Sequence, residues 1–227
     1  MKNFIYDFFR WLAIILGYPL QLIFFKRKTY YEEGAPKKPW RKGGALVISN
    51  HYNALDYIMN MFAVLPRKLN VVASEMPYQN KFLSFGMKFF GGIQANRITR
   101  DMSFMDKSAD VISHGKLVQI FPEGRNTDDG NIQPFKKSYI VIAHRAGCPI
   151  IPIVTDGNYG FFKRTRVIVG NVINVSEYIS STAPIPPREE LNKVNEIVFN
   201  KVLNLRQQLE ELKSSPRQSK KNKRKQQ

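Results

Sequence analysis

The sequence predicts a single α/β domain, a central mixed sheet flanked by helices, preceded by a membrane-associating N-terminal helical segment. Three observations carry this. From residue 45 to residue 213, short apolar runs rich in β-branched residues alternate with longer stretches of helical period, the signature of strands and helices taken in turn. Residues 4–25 are the most apolar stretch. At 227 residues and 43% hydrophobic content, the chain has the size and composition for one substantial core, unlike a disordered sequence.

The formal net charge of +17 sits mostly at the ends: residues 1–42 carry +6, residues 213–227 carry +7, and the 170 residues between them only +4. A nucleic-acid-binding domain more often places a basic stripe on its folded face. Basic ends beside an apolar start suit an anionic membrane surface, with a solvated, solubilising tail as the plain alternative. The single cysteine, Cys148, excludes an intramolecular disulfide and a cysteine-cluster metal site, and three scattered histidines argue against zinc.

Taken in order, residues 1–28 read as an anchor. The uninterrupted apolar run Trp11–Leu16 is short of a bilayer span, and Pro19 disfavours a straight helix. No convincing small-x-small cleavage site precedes Lys26-Arg27-Lys28. The preferred reading is a helix lying in or dipping into one leaflet, with the cations at the cytoplasmic headgroups; a single span and a buried core helix are the alternatives. Residues 29–44, with Gly34, Pro36, Pro39, Gly43 and Gly44, read as a linker. The domain, 45–212, then offers strands at Ala45–Ser49, Asn70–Ser74, Ile93–Ile98, Leu117–Phe121, Pro149–Val154 and Arg166–Val175. Helices are expected at Ala54–Leu65, Pro77–Phe90, Met105–His114, Ser138–Ala146 and Pro187–Lys213. The Phe82–Phe90 aromatics suit core packing, with a membrane-facing patch as the alternative. Residues 213–227 read as a basic, disordered tail.

Two constellations carry chemistry. His51 leaves the first domain strand and Asp56 follows five positions on, a spacing that separates them on a regular helix. They meet if His51 lies in the turn and Asp56 in the first helical turn, with Asn53 as N-cap and Asp56 at N3. A carboxylate holding one ring nitrogen fixes the tautomer of a general base. Equally, Asp56 serves as the acid of a capping box and His51 as a polar strand end. The second constellation is Phe121-Pro122-Glu123-Gly124-Arg125 at the end of another strand, the edge where α/β sheets bind ligands. Phe135-Lys136-Lys137 adds two cations. Cys148 reads as an inert buried thiol, and His114 and His144 as surface or structural residues.

Asn50-His51-x4-Asp56, followed some 70 residues later by Phe121-Pro122-Glu123-Gly124, resembles the glycerolipid acyltransferases, the group that includes 1-acylglycerol-3-phosphate acyltransferase. Ala73–Pro77, Gly92–Arg97, Pro134–Lys137 and Pro149–Ile153 are similar to further blocks of that family in the same order, so the resemblance covers about residues 44–175. It implies a membrane-associated O-acyltransferase moving a fatty acyl chain from acyl-carrier protein or acyl-CoA to a lysophospholipid, with lysophosphatidic acid first. His51 would be the base and Asp56 its orienter; Arg97 would pair with the acceptor phosphate, Glu123 and Gly124 would shape the acceptor site, Glu123 by hydrogen-bonding a glycerol hydroxyl or organising nearby cations, and Arg125 would be a further substrate-binding residue. Ile150–Val154 would be a core strand that also borders the acyl site. No bound cofactor, metal or nucleic acid is implied. Three positions depart from the family pattern. Arg125-Asn126-Thr127 stands where Thr-Arg-Ser is usual, moving the arginine one position earlier and, in an extended segment, to the other face. Asn53 stands for Ser, and Ser138 for Gly. Those departures leave room for another lysophospholipid or a lyso-aminolipid as acceptor. A silent lipid- or nucleic-acid-binding protein is the reading from a different class.

Overall fold

The computed structural model describes residues 2–35, 42–96, 101–127 and 129–224. Seven strands among them form one sheet: β1 (Lys28–Tyr31), β2 (Ala45–Ser49), β3 (Leu69–Ser74), β4 (Gly92–Ala95), β5 (Leu117–Ile120), β6 (Ile150–Thr155) and β7 (Arg166–Val169). Their order is β1-β7-β6-β2-β5-β3-β4. The run β6-β2-β5-β3-β4 is parallel, β7 is antiparallel to β6, and β1 lies parallel to β7. The mixed sheet expected from the sequence is therefore present. Because its five central strands point one way, their carboxyl ends share one rim.

The buried strands of the sheet place alternate side chains on opposite faces. Leu46 and Ile48 of β2 join a core with α5 (Ser103–Ser113), α6 (Ser138–Arg145) and α7 (Arg188–Arg224). Ala45 and Val47 face a second core built with α1 (Lys2–Phe25) and α2 (Leu55–Ala63). On α7, Val194, Val198, Val202, Leu205 and Leu209 are fully buried, the stripe that helical periodicity predicts.

Four expectations are corrected. The linker does not begin at residue 29, because β1 pairs with β7 from Lys28↔Arg166 to Tyr31↔Val169. A four-residue edge strand followed by two glutamates gives little local signal, yet Tyr30 packs on one core and Tyr31 on the other. The helix expected over Pro77–Phe90 is two, α3 (Met76–Gln79) and α4 (Lys81–Phe89). Asn80 divides them, its extended backbone placing Oδ1 to accept the Phe82 and Leu83 N–H groups. No residue of α4 is buried and Phe82, Leu83 and Phe85 are exposed, so that part of the expected core aromatics is surface, whereas Phe90 packs against the second core. Finally, α7 continues to Arg224, past the expected start of a disordered tail at 213. Lys, Arg and Gln, which recur in that stretch, are good helix formers.

Helix α1 passes through Pro19 without ending. Arg10, Ile14 and Gln21 form a buried stripe against the domain. The Arg10 guanidinium donates to the Leu69 carbonyl and to Asn70 Oδ1 (3.3 Å), and Tyr18 packs edge-on against Phe62 of α2. The other sides expose Phe8, Phe9, Leu12, Ile15, Leu16, Leu20 and Ile23. Phe8–Phe25 is long and apolar enough to cross a membrane by length and composition, but only 17% of it is buried in the protein. The core-helix alternative therefore does not describe it.

Candidate active site

The carboxyl ends of β2 and β6 are tied together by Asn50. Its Oδ1 accepts the Thr155 N–H (2.9 Å) and its Nδ2 donates to the Thr155 carbonyl (3.1 Å). His51 follows, one residue beyond this clamp. Its Nδ1 lies 3.0 Å from Oδ2 of Asp56, which opens the first turn of α2 and is fully buried. The same oxygen accepts the backbone N–H groups of Tyr52 (2.6 Å) and Asn53 (2.7 Å). The other oxygen accepts the hydroxyls of Thr155 (3.1 Å) and Tyr159. Dyad and capping acid are thus one carboxylate. Asn53 caps from one residue earlier than expected: its Oδ1 accepts the Leu55 N–H (2.8 Å), while Ala54 holds the N-cap position with helical dihedrals.

With Nδ1 donating to Asp56, Nε2 of His51 carries the lone pair that a general base requires. The ring is fixed on its other side by Phe121, stacked at 3.8 Å between centroids and 14° between planes. The His51 backbone is clasped as well, since its N–H donates to Glu123 Oε1 (2.9 Å) and its carbonyl accepts from Thr127 N–H (2.8 Å).

Glu123 is buried, and its second oxygen accepts the Gln133 N–H (2.8 Å). Burial pushes its carboxyl up, while the two backbone donors pull it back. Both oxygens serve backbone amides, so Glu123 holds the His51 turn to the 121–133 loop. It is not part of the cleft wall beside His51, and its observed partners are these two amides. Gly124 does border the cleft. Its φ of +69° is readily adopted by glycine alone, and a Cβ there would come within 2.8 Å of Lys136 Nζ.

The cleft holds about 970 Å³, with His51 in its wall. Val71, Val72, Met76, Met87, Phe104 and Phe121 supply apolar surface, and Arg125, Lys136 and Asp101 are its charged lining. Both cations are exposed; Arg125 Nη2 donates to Gln133 Oε1 (3.1 Å). Lys137 instead donates to Asn192 of α7, so only the first of the two lysines serves the cleft. The β6 segment Ile150–Val154 is buried core and does not line it. Arg97 lies outside the described residues. His114 is exposed beside Asp110, and His144 lies against the Ala183 carbonyl. Cys148 is buried, which pushes its thiol up to about 12.

Sequence reasoning missed Thr155, Tyr159 and the stacking of Phe121. Tyr159 stays a proton donor because burial, and then the Asp56 charge, raise its phenol. Nothing in Asp156-Gly157-Asn158-Tyr159 marks a residue that reaches a carboxylate 103 positions away.

A base–carboxylate pair thus lies at the carboxyl ends of parallel strands, in the wall of a largely apolar cleft that two cations also line. Residues 26–156 match the family described as Acyltransferase, and the chain belongs to that family. Over 126 residues it is 32% identical to the Caenorhabditis elegans protein named putative 1-acyl-sn-glycerol-3-phosphate acyltransferase acl-2, covering 54% of this chain and 44% of that one. Over 144 residues it is 27% identical to human 1-acyl-sn-glycerol-3-phosphate acyltransferase beta, covering 60% and 50%. The chain thus spans about half the length of these curated relatives. Among solved structures, the 1-acyl-sn-glycerophosphate (LPA) acyltransferase PlsC from Thermotoga maritima matches with a TM-score of 0.57 at 20% identity, over 84% of this chain and 74% of that one. That likeness is one of fold.

Proposed function

We propose that the protein is a membrane-associated O-acyltransferase that esterifies a lysophospholipid hydroxyl, with 1-acylglycerol-3-phosphate as the first acceptor and phosphatidic acid as the product. The observation that carries this is His51, locked through Nδ1 to buried Asp56 and lining an apolar cleft with its other ring nitrogen unspent. Nε2 takes the acceptor's hydroxyl proton as the oxygen attacks the thioester carbonyl. The carbon–sulfur bond then breaks, and protonated His51 returns the proton to the departing thiolate. No acyl-enzyme is formed, and no group beyond the two substrates is needed for the balance. An acyl chain suits the apolar wall, and Arg125 and Lys136 favour a phosphate beside them. Acyl-CoA and acyl-carrier protein both supply the required thioester. The earlier placement of the arginine favours one second reading, the same chemistry on another lysophospholipid or lyso-aminolipid.

Membrane association rests on α1. It is pinned to the body at Arg10, eight residues in from its start, and at its last residue, Phe25, about 22 Å apart along the axis at helical rise. A helix held lengthwise with its apolar side outward suits an in-plane anchor better than a span, with Lys26 and Lys28 toward cytoplasmic headgroups. The test is acyl transfer from labelled acyl-CoA and acyl-carrier protein to a panel of lysolipids in vesicles. Transfer to lysophosphatidic acid is expected. Transfer confined to another lysolipid would replace the acceptor, and none to any acceptor by folded protein would overturn the activity.

A further inference from the structure

The segment between β6 and β7, Asp156–Thr165, exposes two adjacent aromatic rings, Phe161 (69% exposed) and Phe162 (62%). Phe161 packs against Phe24 at the end of α1 with centroids 4.5 Å apart, and Lys26 Nζ lies 5.4 Å from the Phe162 ring centre. The backbones are joined too. Phe162 N–H donates to the Phe24 carbonyl (2.9 Å) and Thr165 N–H to the Phe25 carbonyl (2.8 Å). These donors satisfy carbonyls that a helix C-terminus leaves open, so loop and helix end form one unit. Phe162 has φ +63° and Lys26 φ +44°, a region that a bulky side chain enters at an energetic cost. Burial of Phe162 within the protein does not repay it, since the ring faces outward. The exposed charges of the loop are Lys163 and Arg164, while the acid that begins it, Asp156, is buried 3.3 Å from Arg166. The patch is therefore apolar, continuous with the exposed side of α1, and fringed by cations.

We propose that this loop is a second membrane-inserting element, in which Phe161 and Phe162 enter the headgroup–acyl boundary of an anionic bilayer while Lys26, Lys163 and Arg164 meet lipid phosphates. The inference rests on the membrane-surface part of the proposed function. Aromatic rings favour that interface, and basic residues beside them add electrostatic attraction. The same loop carries Tyr159, whose hydroxyl donates to Asp56, so bilayer seating braces the segment that holds the dyad.

The test uses the full chain with Phe161→Cys carrying an environment-sensitive fluorophore; Cys148 stays in place, because burial keeps its thiol protonated. Ser113→Cys, exposed on α5 across the sheet from α1, is the control. Each is mixed with phosphatidylcholine vesicles containing phosphatidylglycerol, and co-sedimentation reports binding separately. The expected result is a blue shift at position 161, quenched by lipids spin-labelled near the headgroup, and no change at position 113. The paired change Phe161→Ser with Phe162→Gly, which also relieves the left-handed φ, should weaken vesicle partitioning about tenfold with the fold intact. A bound protein whose label at 161 stays in water would overturn the proposal while leaving α1 as the anchor. Failure to bind vesicles would remove the membrane reading itself. A blue shift that grows with protein concentration without lipid would assign the patch to a second copy.

Discussion

Two parts of the cleft wall are built to different standards. At His51, Asp56 is fully buried and accepts hydrogen bonds from two backbone amides, two hydroxyls and the imidazole, and Phe121 stacks on the ring. Among the cations, Arg125 and Lys136 are exposed, and Arg125 is steadied by a bond to Gln133. Tight positioning suits a proton transfer, whose rate collapses when the base is misplaced. Looser cations suit a headgroup that only has to be held. On the proposed function, the contrast teaches that the chemistry is fixed by the domain's core while acceptor choice is left to side chains that change without disturbing it.

Asp56→Asn should break the first part. An amide cannot accept from every group the carboxylate now serves, and it frees the imidazole to turn. We expect kcat to fall about a thousandfold, of the order lost when a base loses its orienter, as read by acyl transfer in vesicles. Tyr159→Phe sharpens the same part. It removes one donor to the carboxylate, and kcat should drop about tenfold, the size expected of a hydrogen bond to a charged group, with the acceptor KM unmoved. Lys136→Ala or Arg125→Ala should do the reverse. Each should raise KM for a phosphate-bearing acceptor about fivefold, more at low salt than at high, and leave kcat nearly unchanged. The smallest effect is expected at Cys148. With its thiol pushed up to about 12, the neutral form dominates at pH 8, so iodoacetamide should leave the native protein unlabelled and fully active. Labelling should follow only on unfolding.

The sequence made the central strands legible because each is a short apolar run, and His51 and Asp56 legible because their partners are five positions apart. The role of Glu123 was not legible. Its partners are two backbone amides, one of them 72 residues away, and a backbone donor leaves no mark in a sequence. Thr155 and Tyr159 escaped for a related reason, since they reach Asp56 only because β6 lies beside β2 in the sheet. Edge strand β1 was hidden by its four-residue length and the two glutamates just after it, and the break between α3 and α4 by an asparagine whose capping depends on its own extended backbone. The exposed α4 aromatics show the limit of composition, because a helical stripe of phenylalanines looks the same whether protein or lipid covers it.

The central claim is that His51, held by Asp56, moves the proton between hydroxyl and thiolate. The most direct measurement is acyl transfer by His51→Ala beside wild type, in the same vesicles with the same thioester and lysophosphatidic acid, after near-ultraviolet circular dichroism has matched the two folds. A loss of at least about a hundredfold in kcat with little change in acceptor KM is the predicted result. A variant that keeps more than about a tenth of the wild-type rate would contradict the account and place the base elsewhere in the cleft.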